Sequence, residues 1–154
     1  TPFMLKGIQT AEDAVMAVEH GVQVVYISNH GGRQLDYTLG NIDMLPEVVD
    51  AVDGKAEVVV DGGFTRGTDV IKAMALGATA VGIGRLQAWA LAAGGAEGLV
   101  ACLEMLETEI HTTMGLIGVT SLDELDGSYI TKTIPVREAH EHSAFPHLPG
   151  GRLL

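Results

Sequence analysis

The run VQVVYIS at Val22–Ser28, carried straight on by NHGGR at Asn29–Arg33, decides the fold. Its apolar character is nearly unbroken. That suits a strand covered on both faces, as in parallel sheets, whereas a strand with one wet face would alternate. Parallel neighbours must be joined by crossover helices, and the flanking sequence supplies them. Upstream, Ala11–His20 has helical periodicity, with Thr10 and Asp13 at the spacing of a capping box and Gly21 where a left-handed cap is wanted. Before it, Phe3–Lys6 reads as a short strand. Downstream, a Gly-rich loop through Gly40 leads to a helix at Ile42–Val52, a strand at Glu57–Asp61 and a helix at Thr68–Leu76 closed by Gly77. A strand at Ala80–Ile83, a small-residue loop and a long helix at Glu97–Met114 follow.

Strands alternating with helices give an α/β class built from four parallel βα units. The chemically capable residues collect where the strands end: Lys6 after the first, Ser28 and His30 after the second, Asp61-Gly62-Gly63 after the third, Gly84-Arg85 after the fourth. A TIM (βα)8 barrel builds its active site at these C-terminal strand ends. Four units are half of such a barrel, so the other half is expected from an N-terminal part, from a second chain in a homo-oligomer, or not at all. The half-barrel spans residues 1–125, with a short helix at Ser121–Leu125. Residues 126–154 form a polar, Pro- and His-containing tail, expected to be extended or disordered.

The 154 residues are 47% hydrophobic, enough for one buried core. Twenty acidic against nine basic residues leave a net charge of -11, which repels a polyanion, so nucleic acid is excluded as a partner. The longest apolar stretches, around Val22–Ile27 and Ala88–Ala93, fall short of the roughly 20 residues that span a bilayer. The single cysteine, Cys102, cannot form an internal disulfide, and no signal peptide opens the chain; a reducing, cytoplasmic setting is expected. A first residue of Thr1 rather than Met suits a processed or partial chain.

Two constellations carry chemistry. In SNHGGRQLD (Ser28–Asp36) an imidazole and a guanidinium stand three residues apart on a loop with two glycines. Glycines let backbone approach a flat ligand closely, and the Arg33 fork matches a carboxylate. An imidazole beside a clamped carboxylate is placed to take a proton from the adjacent carbon or its hydroxyl. A surface loop whose His and Arg merely meet solvent fits the same residues about as well. The second constellation joins DGGFTRGTD (Asp61–Asp69) to GIGR (Gly82–Arg85). A Gly-rich turn feeding a helix N-terminus offers free N–H groups to a phosphate, and barrels of this kind commonly carry a phosphate site after their last two strands.

SNHGGRQLD, then LPE, VDGGFTRGTDVIKAMALGA and VGIGR together resemble the FMN-dependent 2-hydroxy-acid dehydrogenases and oxidases, across Leu5 to Tyr129. The resemblance implies a (βα)8 barrel of which this chain is the C-terminal half, FMN as cofactor, and oxidation of an (S)-2-hydroxy acid to the 2-oxo acid. The final acceptor would be O2, a quinone or a cytochrome. It implies His30 as active-site base, also touching substrate, and Arg33 as the carboxylate clamp. Lys6 would sit by the flavin N1 and C2 carbonyl, and Ser28 at the pyrimidine end. Asp61, Gly62, Gly63, Gly84 and Arg85 would hold the ribityl chain and phosphate. The family commonly has Arg where this chain has Thr65, so the phosphate contact there passes to Thr65 and backbone amides or to Arg66.

The resemblance also implies that the other half supplies further substrate and flavin contacts and the Asp that orients the catalytic histidine, so these residues alone are expected to be inactive. Two rival readings differ in class. An inosine-monophosphate-dehydrogenase-like chemistry needs a nucleophilic cysteine in a strand-end loop, whereas Cys102 falls inside a helix. A truncated remnant or interaction module of the same fold would keep the shape without activity. His140, His142 and His147 lack regular ligand spacing, and no metal site is expected. Met105 and Met114 suit the apolar stripe of a helix, Glu104, Glu107 and Glu109 a solvated helical face, and Trp89 a loop at a subunit contact.

Overall fold

A computed structural model describes residues 1–133. Four strands, β1 (Met4–Ile8), β2 (Val24–Ile27), β3 (Glu57–Asp61) and β4 (Ala80–Gly82), alternate with four helices, α1 (Ala11–Glu19), α2 (Asn41–Val52), α3 (Gly67–Ala75) and α4 (Arg85–Ile117). The strands pair in chain order and all in parallel. Lys6, Tyr26, Val59 and Ala80 share one row across the sheet, and Asp61 lies beside Gly82 two rows on, on the same face. The architecture is therefore the expected arc of a (βα)8 barrel.

Side chains alternate along each strand, so the apolar runs serve two faces. Val25, Ile27, Val58 and Val60 are buried against α1 to α3, in one core with Ala14, Ala17, Leu45, Val48, Val52 and Ala73. Lys6, Val24, Tyr26, Val59 and Asp61 point the other way and stay partly exposed. Burying the outer set is what holds each helix on the sheet, at roughly 1.5–3 kcal/mol per large aliphatic side chain. Of the capping box read at Thr10 and Asp13 one half forms, the Thr10 hydroxyl accepting from the Asp13 N–H at 3.2 Å, and Gly21 and Gly77 follow their helices at φ 81° and 93°.

Two expectations change. The segment after β4 is not a small-residue loop: helix begins at Arg85 and is interrupted only at Gly94 and Gly95, whose φ angles are -144° and 60°. Ala and Leu are strong helix formers, and it is the glycine pair that makes the break. Trp89 therefore sits on a helix. Packed structure also continues beyond Leu125. Ile71 of α3 is buried with Met114 and Val119, against Leu122 and Leu125. A 3₁₀ turn at Gly127–Tyr129, capped by the Asp126 carboxylate on the Ser128 N–H, rests on α3. Such turns carry no 3.6-residue period, which is why the pattern fades there. His140, His142, His147 and most of the tail lie outside the described residues.

By length and composition α4 could cross a membrane. The glycine break divides it, however, and its longer part carries Glu97, Glu104, Glu107 and Glu109 and packs on α3.

Candidate active site

The C-terminal ends of β1 to β4 surround a concavity of about 700 Å³. It is lined by Lys6, His30, Gly31, Arg33, Gln34, Asp61, Gly62, Gly63, Phe64, Thr65, Gly84, Arg85, Leu86, Ala88 and Trp89. Most of the residues read from the sequence are thus brought to one place. The exceptions are Ser28, which lies just beneath, and Arg66.

His30 reaches the concavity through an unusual backbone. Three successive residues, His30, Gly31 and Gly32, have φ of 54°, 72° and 69°. Left-handed geometry costs little at glycine but on the order of 1–3 kcal/mol at histidine, so it must be held by its surroundings. The holding contacts are specific. The His30 N–H donates to the Ser28 hydroxyl at 3.2 Å, the Gly31 N–H to Asn29 Oδ1 at 3.0 Å, and the Gly32 N–H to the Asn29 carbonyl at 3.0 Å. Arg85 donates to the Gly31 carbonyl at 2.8 Å, and a Cβ at Gly31 would overlap its guanidinium. The imidazole lies against Gly7, where β1 bulges between Lys6 and Ile8; a Cβ there would stand 3.2 Å from His30 Cε1. Among the described residues, no carboxylate is hydrogen-bonded to the imidazole.

Lys6 is held on two sides. Its ammonium donates to the buried Ser28 hydroxyl at 2.6 Å and pairs with Asp61 at 2.8 Å, while its side chain remains 38% exposed toward the concavity. Ser28 therefore positions both Lys6 and the His30 backbone. Asp61 is fixed in turn by Asn41, a buried residue at the start of α2 whose amide donates to the Asp61 carbonyl at 2.7 Å and accepts from the Asn29 N–H at 3.1 Å. Asn41 thus ties the ends of β2 and β3 together. Neither Asn41 nor Gly7 is marked in the sequence: Asn41 falls one residue before the predicted helix and Gly7 one residue past the predicted strand, and the structure takes both into those elements.

Arg66 is the correction. Gly67 opens α3 so close to α4 that a Cβ there would overlap Glu109 and the Ile110 backbone. Arg66 is drawn onto Glu109 by two contacts at 2.8 and 2.6 Å, and Glu109 also accepts the Gly67 N–H at 2.7 Å. The guanidinium is taken up by α4 and does not line the concavity, whereas Thr65 and Arg85 do.

The hydrogen bond from Arg66, followed by the one from the Gly67 N–H, holds the Glu109 carboxyl below its ordinary range. A value lower in the folded state than in the unfolded adds stability that is present above the ordinary carboxylate range and lost as pH falls through the folded value. Glu109→Gln is therefore expected to unfold at lower urea concentration than the parent near neutral pH, with the gap narrowing by about pH 3. Urea titrations of both proteins at the two pH values check this; a gap independent of pH would refute it.

The profile of the FMN-dependent dehydrogenase family matches residues 1–132. An L-lactate oxidase of Nostoc sp. is 50% identical over 129 residues, 84% of this chain and 35% of that protein. 2-Hydroxyacid oxidase 2 of Homo sapiens is also 50% identical, over 84% of this chain and 37% of its own length. A crystal structure of mandelate oxidase with (S)-2-phenylpropionate superposes with a TM-score of 0.77 and 52% identity, covering 79% of this chain and 36% of that one. The chain thus spans little more than a third of the length of these relatives. Because the profile runs through β1 to α4 and half of the aligned residues are identical, the chain belongs to the FMN-dependent dehydrogenase family.

Proposed function

We propose that these residues form part of an enzyme that oxidises an (S)-2-hydroxy acid to the 2-oxo acid with FMN as first electron acceptor. The observation that carries the reading is the convergence of His30, Arg33, Lys6 and Arg85 on one glycine-lined concavity at the strand ends. Relatives named lactate oxidase, (S)-2-hydroxyacid oxidase and mandelate oxidase support the substrate class. Among O2, a quinone and a cytochrome as final acceptor, names of oxidases favour O2.

The residues fit the cofactor. Gly84 stands at the N-terminus of α4 with no side chain capping it, and a Cβ at Gly63 or Gly84 would meet nothing within 4 Å. Open N–H groups at a helix start beside Arg85 suit a phosphate. The concavity's volume falls within the range of small-molecule sites, about 300–1,000 Å³. We assign Asp61 and Gly62 to the ribityl chain and Lys6, backed by the buried Ser28, to the ring's pyrimidine edge.

FMN, when bound, takes the two electrons. The chain's own residues do the rest. Arg33, exposed at the mouth, holds the substrate carboxylate in a bidentate fork and so fixes the hydroxyl-bearing carbon. Whichever hydrogen leaves with the electrons, a proton must pass to a base, and His30 is the imidazole facing that carbon. The Lys6 ammonium supplies positive charge where negative charge accumulates.

A point charge does not reproduce a planar fork. Arg33→Lys in the flavin-loaded enzyme is expected to weaken substrate binding roughly tenfold, about 1.4 kcal/mol. Perturbation of the flavin absorbance on titration with substrate measures this; an unchanged dissociation constant would remove Arg33 from the clamp.

A further inference from the structure

Tyr26 lies on the inner face of β2, in the same row as Lys6 of β1 and Val59 of β3. The mechanism above makes no use of it, yet three observations tie it to the site. The Lys6 ammonium stands over its ring, 4.8 Å from the centroid. Its hydroxyl stands beside Asp61, the carboxylate that pairs with Lys6, close enough for that carboxylate to raise the phenol above its ordinary range. That hydroxyl also crosses β3 to occupy the space a side chain would need at Gly82 of β4, where a Cβ would overlap it and crowd the Asp61 Cβ. Gly82 is thus a glycine at ordinary φ, required by a neighbour rather than by its own backbone.

We propose that Tyr26 is a positioning residue of the flavin site, its ring supporting the Lys6 ammonium and its hydroxyl anchoring Asp61, so that it sets how much positive charge Lys6 presents to the ring. The proposal rests on the reading that Lys6 faces the flavin. Asp61 accepts from Lys6 at 2.8 Å and from Asn41 at 3.3 Å, and the Tyr26 hydroxyl stands beside it as a third donor within reach of small side-chain adjustment. A carboxylate shared among three donors binds each less completely than a carboxylate with two. With the phenol in place, part of the Asp61 charge is spent on the hydroxyl, and more of the Lys6 charge faces the concavity. Burial, and then Asp61, raise the phenol above its ordinary range, so at neutral pH it stays protonated and keeps its proton available to Asp61. The aromatic face holds the ammonium without neutralising it as a second carboxylate would.

Reduction adds negative charge to the flavin, so its midpoint potential reads the local positive charge. Tyr26→Phe keeps the ring beneath Lys6 and removes only the hydroxyl. In the flavin-loaded holoenzyme it is expected to lower the potential by about 30 mV, a tenfold loss of preference for the reduced form in a two-electron couple. Gly82→Ala, which places a methyl group where the hydroxyl lies, is expected to shift it the same way. Lys6→Met should lower it further. A Tyr26→Phe potential equal to the parent's, alongside a lowered one in Lys6→Met, overturns the role of Tyr26 and leaves that of Lys6 standing. An unchanged potential in Lys6→Met overturns the placement of Lys6 itself. A Tyr26→Phe protein that melts earlier with its potential unmoved shows a packing residue and likewise ends the proposal.

Discussion

His30→Gln in the flavin-loaded enzyme is expected to bind FMN and substrate as the parent does and to turn over at least ~10²-fold more slowly, the low end for loss of a general base. The substitution isolates the proton transfer. Gln fills much of the imidazole's space against Gly7 and can hydrogen-bond, but it cannot accept a proton near neutral pH. The backbone contacts that carry the left-handed turn, from Ser28, Asn29 and Arg85, involve no atom of the His30 ring. The loop geometry and the Arg33 clamp are therefore retained. Flavin content by absorbance, the substrate dissociation constant by flavin perturbation and single-turnover reduction separate the three quantities. Near-normal reduction in a flavin-loaded His30→Gln protein would take His30 out of the mechanism.

The parts of this site that were legible in the sequence are those whose meaning is local. A nearly unbroken apolar strand, two adjacent glycines and a His three residues from an Arg are all present in Val22–Asp36, and strand ends can be located by period and punctuation alone. What was not legible depends on distance through the fold. The partner of Arg66 is Glu109, forty-three positions on, and nothing near Arg66 announces it. Gly67, Gly31 and Gly82 look alike in the sequence, yet one admits a helix, one an Arg85 guanidinium and one a phenol from two strands away. Asn41 falls just outside the helix the sequence predicts, and its role appears only when the ends of β2 and β3 stand side by side. The Arg85–Ala93 segment departs from expectation for a different reason: its small residues suggest a loop, but Ala and Leu propensity carries helix up to the glycine pair.

A polypeptide of residues 1–154 alone is expected neither to hold FMN tightly nor to oxidise hydroxy acids, a loss of both functions. Among the described residues, β1 and β4 each present one unpaired edge, and open edges invite association. The inner face, with Val24, Tyr26 and Val59 only partly covered, and the exposed Phe3 and Met4 add apolar surface that a closed barrel would bury. The concavity touches a ligand from one side only, and a half-enclosed ligand keeps much of its surface in water, so it gains far less than one largely buried. A His30 imidazole with no carboxylate hydrogen-bonded to it among these residues also lacks the group that orients such a base and steadies its protonated form. A second copy of the same residues could close the barrel, but it would duplicate Lys6, His30 and Arg85 rather than supply contacts to the flavin's other side. Equilibrium dialysis of the purified chain against FMN, followed by assays on glycolate, lactate and mandelate, tests the expectation. Sub-micromolar FMN affinity accompanied by turnover would show that four βα units suffice for what the geometry here assigns to a complete barrel.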